Sequence, residues 1–137
     1  MILDASVILK WFIKEEDSDK AKELKESHII GKFNIVVPDI IIYEVGNALR
    51  YEPEFSLKEV NRSLEELYEL NLDIIAPLPD ILTLVAEIAY RYNITFYDAS
   101  YIALAQELGL QFITADQKLY NKVENLSFIK VLSKLKF

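Results

Sequence analysis

The spacing of the short apolar runs constrains this chain more than any other feature. Met1–Leu3, Ile35–Val37, Asp73–Ala76, Gln111–Thr114 and Phe128–Val131 are rich in apolar or β-branched residues, and sequence of helical periodicity separates them. Runs this short suit strands buried on both faces, and helical connections suit a parallel sheet. The alternation therefore predicts an α/β fold in which helices cover both faces of a central parallel sheet. At 137 residues, with 52% hydrophobic and 27% charged side chains, the chain can bury one ordinary core but not two. Three glycines, four prolines and no low-complexity tract leave no linker, so residues 1–137 are expected to form a single domain.

Composition excludes several chemistries. With no cysteine, the chain has no disulfides, no thiolate zinc site and no thiolate nucleophile. Fifteen basic against twenty-two acidic residues give a formal charge of -7, which provides no general field to gather a polyanion. A nucleic-acid partner would need a local device. Met1-Ile2-Leu3-Asp4 lacks a basic leader region, and no apolar run approaches the roughly 18 residues of a membrane span. A cytoplasmic protein without a membrane partner is expected.

Several helices are marked by their ends. Ser56 and Glu59 have capping-box spacing before Leu57, Val60, Leu64 and Leu67, which recur at a helical period. Pro79 suits the first turn of a helix carrying Leu82, Val85, Ala86 and Ala89. Asp98 opens a segment with Ile102, Ala105 and Leu108 on one stripe, and Gly109 suits its left-handed end. Pro38 precedes a segment with Ile41, Val45, Ala48 and Leu49, while Ser18–Ser27 forms a more polar helix with Ala21 and Leu24 inward.

In open parallel sheets, ligands meet the loops beyond the carboxyl ends of the strands. Asp4 follows the first strand, Asp116 follows Phe112-Ile113-Thr114-Ala115, and Asp98 follows the apolar patch Ile94–Phe96. Glu44 lies beside an apolar helical stripe with Asn47 close by, and an inward carboxylate there needs a partner. Each aspartate alone also suits a turn or helix cap. Together, four acids at one edge would repel unless a divalent cation turned that cost into attraction. Hard oxygen donors favour Mg2+, with Mn2+ as a substitute. A metal there would bring phosphate to an acidic protein and ease deprotonation of a bound water.

The remaining polar residues divide between chemistry and structure. His28, the only histidine, suits a surface or capping position near the end of a polar helix and stays outside the site. Ser6, Ser100 and Thr114 stand beside the acids, suited either to position carboxylates and waters or to cap helices and end strands. Lys10, Lys14, Arg50, Arg91 and Lys118 are candidates for a phosphate rim, or solvated surface. Trp11, Phe12, Tyr43, Tyr51 and Tyr68 suit core packing, with a partner surface as the other use.

The acidic segments together resemble the PIN-domain ribonuclease family, specifically its VapC-like toxin branch, over essentially the whole chain. Asp4-Ala5-Ser6-Val7 is similar to the family's opening motif, and Glu44 with Asn47-Ala48-Leu49 to its central acidic helix. Asp98-Ala99-Ser100-Tyr101-Ile102-Ala103-Leu104-Ala105 resembles the next acidic segment, and Thr114-Ala115-Asp116 with Leu119 the last. The resemblance implies a three-layer α/β/α sandwich around a parallel sheet and a metal-dependent RNA endonuclease. It implies that Asp4, Glu44, Asp98 and Asp116 form the metal pocket and catalytic set, with Asn47 and Thr114 supporting them from behind; Ser6, beside Asp4, is a further candidate for that supporting place. Magnesium, or manganese in its place, would orient the scissile phosphate and activate water, leaving a 5′ phosphate and a 3′ hydroxyl. It also implies the toxin of a toxin-antitoxin pair, an RNA substrate, a small cognate antitoxin and a homodimer.

Two other functions compete. A receiver-like signalling domain also gathers acids for magnesium, but would place an acidic pair after the first strand and a phosphorylatable aspartate after the third. Here Asp4 stands alone, and Ile75-Ala76-Pro77 falls near the second position. A noncatalytic RNA-binding regulatory protein with the same acids would bind RNA without turnover.

Overall fold

The computed structural model describes residues 1–137. Strands β1 (Ile2–Leu3), β2 (Val36–Pro38), β3 (Asp73–Ile75), β4 (Phe112–Thr114) and β5 (Ile129–Val131) form one five-stranded sheet. Their order is β3-β2-β1-β4-β5, and every pairing is parallel. Ile2 lies opposite both Val36 and Phe112, and Leu3 opposite Ile113, placing β1 at the centre. All five expected strands are present, with ends moved by no more than about one residue, the usual uncertainty of a pattern-based boundary.

Helices α1 (Ala5–Ile8), α2 (Ser18–Ile29), α3 (Ile40–Tyr51), α4 (Leu57–Glu69), α5 (Pro79–Tyr92), α6 (Phe96–Leu108) and α7 (Gln117–Val123) fill the connections. The chain steps from β1 to β2 to β3 in one direction and then returns past β1 to β4 and β5. Right-handed crossovers accordingly put α1 to α4 on one face and α5 to α7 on the other, completing three layers. Because the direction reverses at β1 and β4, the loops leaving their carboxyl ends turn toward opposite faces and open a crevice between them.

The central strands are apolar because helices seal both sides: Ile2, Leu3, Val37, Phe112 and Ile113 are buried in one continuous hydrophobic core. Helix ends follow local chemistry. Ser56 and Glu59 make the reciprocal capping box of α4, Pro79 occupies the first turn of α5, and Gly109 ends α6 at a φ of 64°. No helix is long and apolar enough to cross a membrane.

Several expectations need correction. Asp98 does not open its helix; Thr95 caps α6, and Asp98 sits in the first turn. Leu57 and Leu108 are exposed at helix ends, beyond the buried part of each stripe. Tyr43, Tyr51 and Tyr68 are exposed at 75%, 72% and 59%, whereas Trp11 is buried and donates its indole N–H to the Ala21 carbonyl at 2.9 Å. The tyrosines' helical spacing carries them to the outer faces of α3 and α4, away from the core. His28 is neither a free surface residue nor a cap: its Nε2 meets the Leu70 carbonyl at 2.8 Å and its Nδ1 accepts the Ile35 N–H at 3.2 Å.

Candidate active site

Asp4 is the deepest element of the site. It follows β1, caps α1 by accepting the Val7 N–H at 3.3 Å, and is only 5% exposed. The Ser6 hydroxyl donates to its Oδ1 at 2.5 Å, and the Thr114 hydroxyl donates to its Oδ2 at 2.6 Å. Both donors are themselves fixed. Ser6 Oγ accepts the Ala115 N–H at 2.8 Å, and Thr114 Oγ1 accepts the Asp116 N–H at 3.0 Å. The loops after β1 and β4 are thereby laced together across the crevice. Burial pushes the Asp4 carboxyl up to about 7; the Ser6 and Thr114 hydroxyls oppose that rise, and the Asp98 charge adds to it.

Glu44 projects from the middle of α3 between the buried Ile41 and Val45. It is half-buried, and the Tyr101 hydroxyl of α6 donates to its Oε1 at 2.6 Å. Burial raises its pKa, the Tyr101 hydrogen bond restrains the rise, and Asp98 pushes it further. Tyr101 is held protonated well above the ordinary phenol range by burial and by Glu44, so it remains the donor in this pair.

Asp98 is the common neighbour of the set. Its charge raises both Asp4 and Glu44, while its own pKa is raised by burial and by Asp116 and lowered by the Thr95 hydroxyl and Lys122. Asp116 caps α7, accepting the Leu119 N–H at 3.1 Å. Asp98 and Asp116 line one surface cavity of about 170 Å³ together with Thr95, Lys118 and Lys122. Capping and site placement are therefore not competing uses, because Asp4 and Asp116 each cap a helix with a carboxylate that also stands at the crevice. A separate cleft of about 210 Å³, lined by Ile75, Leu82, Phe96 and Tyr97 among others, is mostly apolar and holds none of the four acids.

The donors are all hard oxygens, suited to Mg2+ or Mn2+, and neither a histidine nor a sulfur ligand stands among them. No three acids are drawn into a ready-made cation cage. They stand apart, close enough for each other's charge to raise three of their pKa values in addition to burial. A cation would relieve that repulsion, so the donor set fits a divalent ion by its chemistry.

The other sequence candidates separate clearly. Ser6 and Thr114 contact Asp4 directly, whereas Asn47 is exposed and hydrogen-bonds to none of the acids. Ser100 turns back onto the Tyr97 carbonyl at 2.6 Å, the local alternative open to a helical serine. Among the basic candidates, Lys118 reaches the acidic cavity, but Lys10 is nearly buried and paired with Glu15 at 3.2 Å, and Arg50 lies over the Tyr51 ring. Three contributors escaped sequence reasoning. Tyr101 stands within the Asp98 motif one turn on, Lys122 one turn beyond Lys118, and Thr95 three residues before Asp98, the spacing of a cap to its first turn.

The crevice, the sheet order and the ordered acids define a class: residues 1–125 match the PIN domain family, and the chain belongs to it. Within the family it is VapC-like. It is 29% identical over 130 residues to a Pyrobaculum aerophilum protein named Ribonuclease VapC3, covering 89% of this chain and 93% of that one. A second relative from the same organism, named Exonuclease VapC9, is 30% identical over 108 residues, covering 72% of this chain and 74% of its own. A solved toxin-antitoxin complex from Klebsiella pneumoniae superposes with a TM-score of 0.71 at 16% identity, covering 98% of both chains, a likeness of fold. Family membership displaces the receiver-like reading.

Proposed function

We propose that this chain is a divalent-metal-dependent endoribonuclease, a single domain over residues 1–137 that serves as the toxin of a toxin-antitoxin pair. In this reading Asp4, Glu44, Asp98 and Asp116 are its metal-binding and catalytic acids. The observation that carries it is the buried Asp4, clamped by Ser6 and Thr114 at the β1–β4 crevice and sharing Asp98 as a charged neighbour with Glu44. A structural aspartate has no need of a second acid whose charge it feels, and Asp98 acts on Glu44 as well, so the arrangement costs repulsion that a structural role does not require.

Bound Mg2+, or Mn2+ in its place, supplies positive charge to the scissile phosphate and a water of lowered pKa. The residues of the chain do the rest. Ser6 and Thr114 hold the Asp4 carboxylate in one orientation, Tyr101 holds Glu44, and Asp98 and Asp116 present acid at the mouth. Lys118 and Lys122 form the local basic rim that an acidic protein needs against RNA. The names of the VapC relatives support RNA cleavage, and the Klebsiella complex supports a small antitoxin partner. A cytoplasmic homodimer completes the proposal, since a chain this small gains RNA contact surface by pairing.

The test uses metal-stripped, antitoxin-free protein with Mg2+ or Mn2+ restored, beside folded Asp4→Asn and Asp98→Asn variants. Cleavage should return with metal in the wild type and be lost in both variants. Metal-dependent turnover retained in both would remove these assignments, and RNA binding without turnover would favour the noncatalytic regulatory reading. Circular RNA decides the mode: an endonuclease opens it, whereas an enzyme acting only from ends, as the name of VapC9 suggests for that relative, leaves it intact.

A further inference from the structure

We propose that Tyr101 is a positioning residue for Glu44, holding Oε1 so that the carboxylate faces the acidic pocket in one fixed orientation. The inference rests on the metal-site reading above. Tyr101 is fully buried, and its ring lies 6.0 Å from that of Phe112 in β4 with an interplanar angle of 18°. Packing fixes the ring, and the ring fixes where the hydroxyl can reach. The hydroxyl meets Glu44 Oε1 at 2.6 Å, short for a hydrogen bond of this kind and in keeping with a charged acceptor.

The two residues come from different layers. Glu44 belongs to α3, on the face covered by α1 to α4, and Tyr101 belongs to α6, on the opposite face, one turn after Asp98. Their hydrogen bond ties the layers above the carboxyl ends of the strands and sets the acid of one helix relative to that of the other. Without it, Glu44 has three rotatable bonds and no other side-chain hydrogen bond to choose its orientation. A buried tyrosine needs some partner, but a backbone carbonyl would satisfy it equally. Using a pocket carboxylate instead fixes the direction in which both of its oxygens present their remaining lone pairs.

Wild type, Tyr101→Phe, Glu44→Gln and the double variant are compared by Mn2+ binding without RNA, read from the free-ion paramagnetic resonance signal. Cleavage kinetics are measured in parallel. Tyr101→Phe keeps the ring and its stack, and should bind Mn2+ roughly 10-fold more weakly, with a matching fall in kcat and an unchanged KM for RNA. Added to Glu44→Gln, the same substitution should cause no further loss, because its target has already changed. Wild-type Mn2+ affinity in Tyr101→Phe, or an equal loss in both backgrounds, would overturn the proposal. Should Tyr101→Phe not fold, Phe112→Leu removes the stack that fixes the ring while leaving Glu44 and the hydroxyl in place; weakened Mn2+ binding in the folded variant supports positioning and unchanged binding refutes it. Wild-type protein that binds no Mn2+ would instead bring down the metal-site reading and this inference with it.

Discussion

Thr114 donates its hydroxyl hydrogen to Asp4 Oδ2 at 2.6 Å while accepting the Asp116 N–H at 3.0 Å, so one buried hydroxyl locates two acids on adjacent strand ends. The arrangement depends on the parallel pairing of β1 and β4, which sets Leu3 beside Ile113 and leaves the next residues of both strands at the crevice. Thr114→Val keeps the shape and removes both hydrogen bonds. It should cost about 1–3 kcal/mol in urea unfolding and reduce cleavage sharply, whereas Thr114→Ser should recover most of both. Equal activity in the valine and serine variants would show that the hydroxyl serves packing alone.

Stability of the metal-free protein should fall as pH rises. Asp4 goes from an ordinary 3.8 to about 7 on folding, and a raised folded pKa gives stability that is full below the unfolded value and lost as pH climbs through the folded one. The window therefore runs from about pH 4 to 7, and Asp4 contributes a loss of up to about 4 kcal/mol across it. Glu44 and Asp98 are raised too and act in the same direction. Melting in chelator should thus be higher at pH 5 than at pH 8, and Mn2+ should restore most of the difference at pH 8. A melting temperature that rises with pH in chelator would contradict the repulsive, buried site.

Lys118 and Lys122 stand one turn apart on α7 beside Asp98 and Asp116, in a protein whose net charge is -7. Replacing both by alanine should weaken RNA binding in Ca2+ and flatten its dependence on log salt by roughly 1.4, the slope of two lost single-strand phosphate contacts. The chain fold should survive, although Lys122 also donates to the Asn93 carbonyl at 2.9 Å. A salt slope identical to wild type would exclude these lysines from the RNA path.

His28 joins three segments: it sits near the end of α2, accepts from Ile35 before β2 and meets the Leu70 carbonyl after α4. The neutral ring with its proton on Nε2 satisfies both contacts. His28→Phe fills the space and leaves both backbone groups unpaired, so it should lower stability by about 1–3 kcal/mol while cleavage per folded molecule stays at the wild-type rate. An equal loss of specific activity would connect this distant staple to the site.

Local signals in the chain were strong enough to reveal much of this architecture. Apolar runs mark strands because burial on both faces demands it, and Ser56, Pro79 and Gly109 mark helix ends because caps act within one turn. Asp4 and Asp116 stand out in the sequence by their place after strands, where ligand sites in open parallel sheets collect. Glu44 and Asp98 lie within helices and are marked instead by a neighbouring apolar stripe and apolar patch. Helix rotation was less legible: Leu57, Tyr43, Tyr51 and Tyr68 face solvent because the stripe that packs is decided by the neighbouring layer, not by hydrophobicity alone.

The amino-acid order by itself determined the α/β alternation, the capping residues and the hard-oxygen chemistry, all of which arise from interactions within a few residues. Only the tertiary structure decided that Thr114 would clamp Asp4, that Tyr101 would reach Glu44 from the opposite layer, and that Asp98 would share its charge with both. Those relationships depend on strand register and on how two helical layers meet over one sheet edge, and contacts between residues so far apart in the chain leave no periodic trace in it.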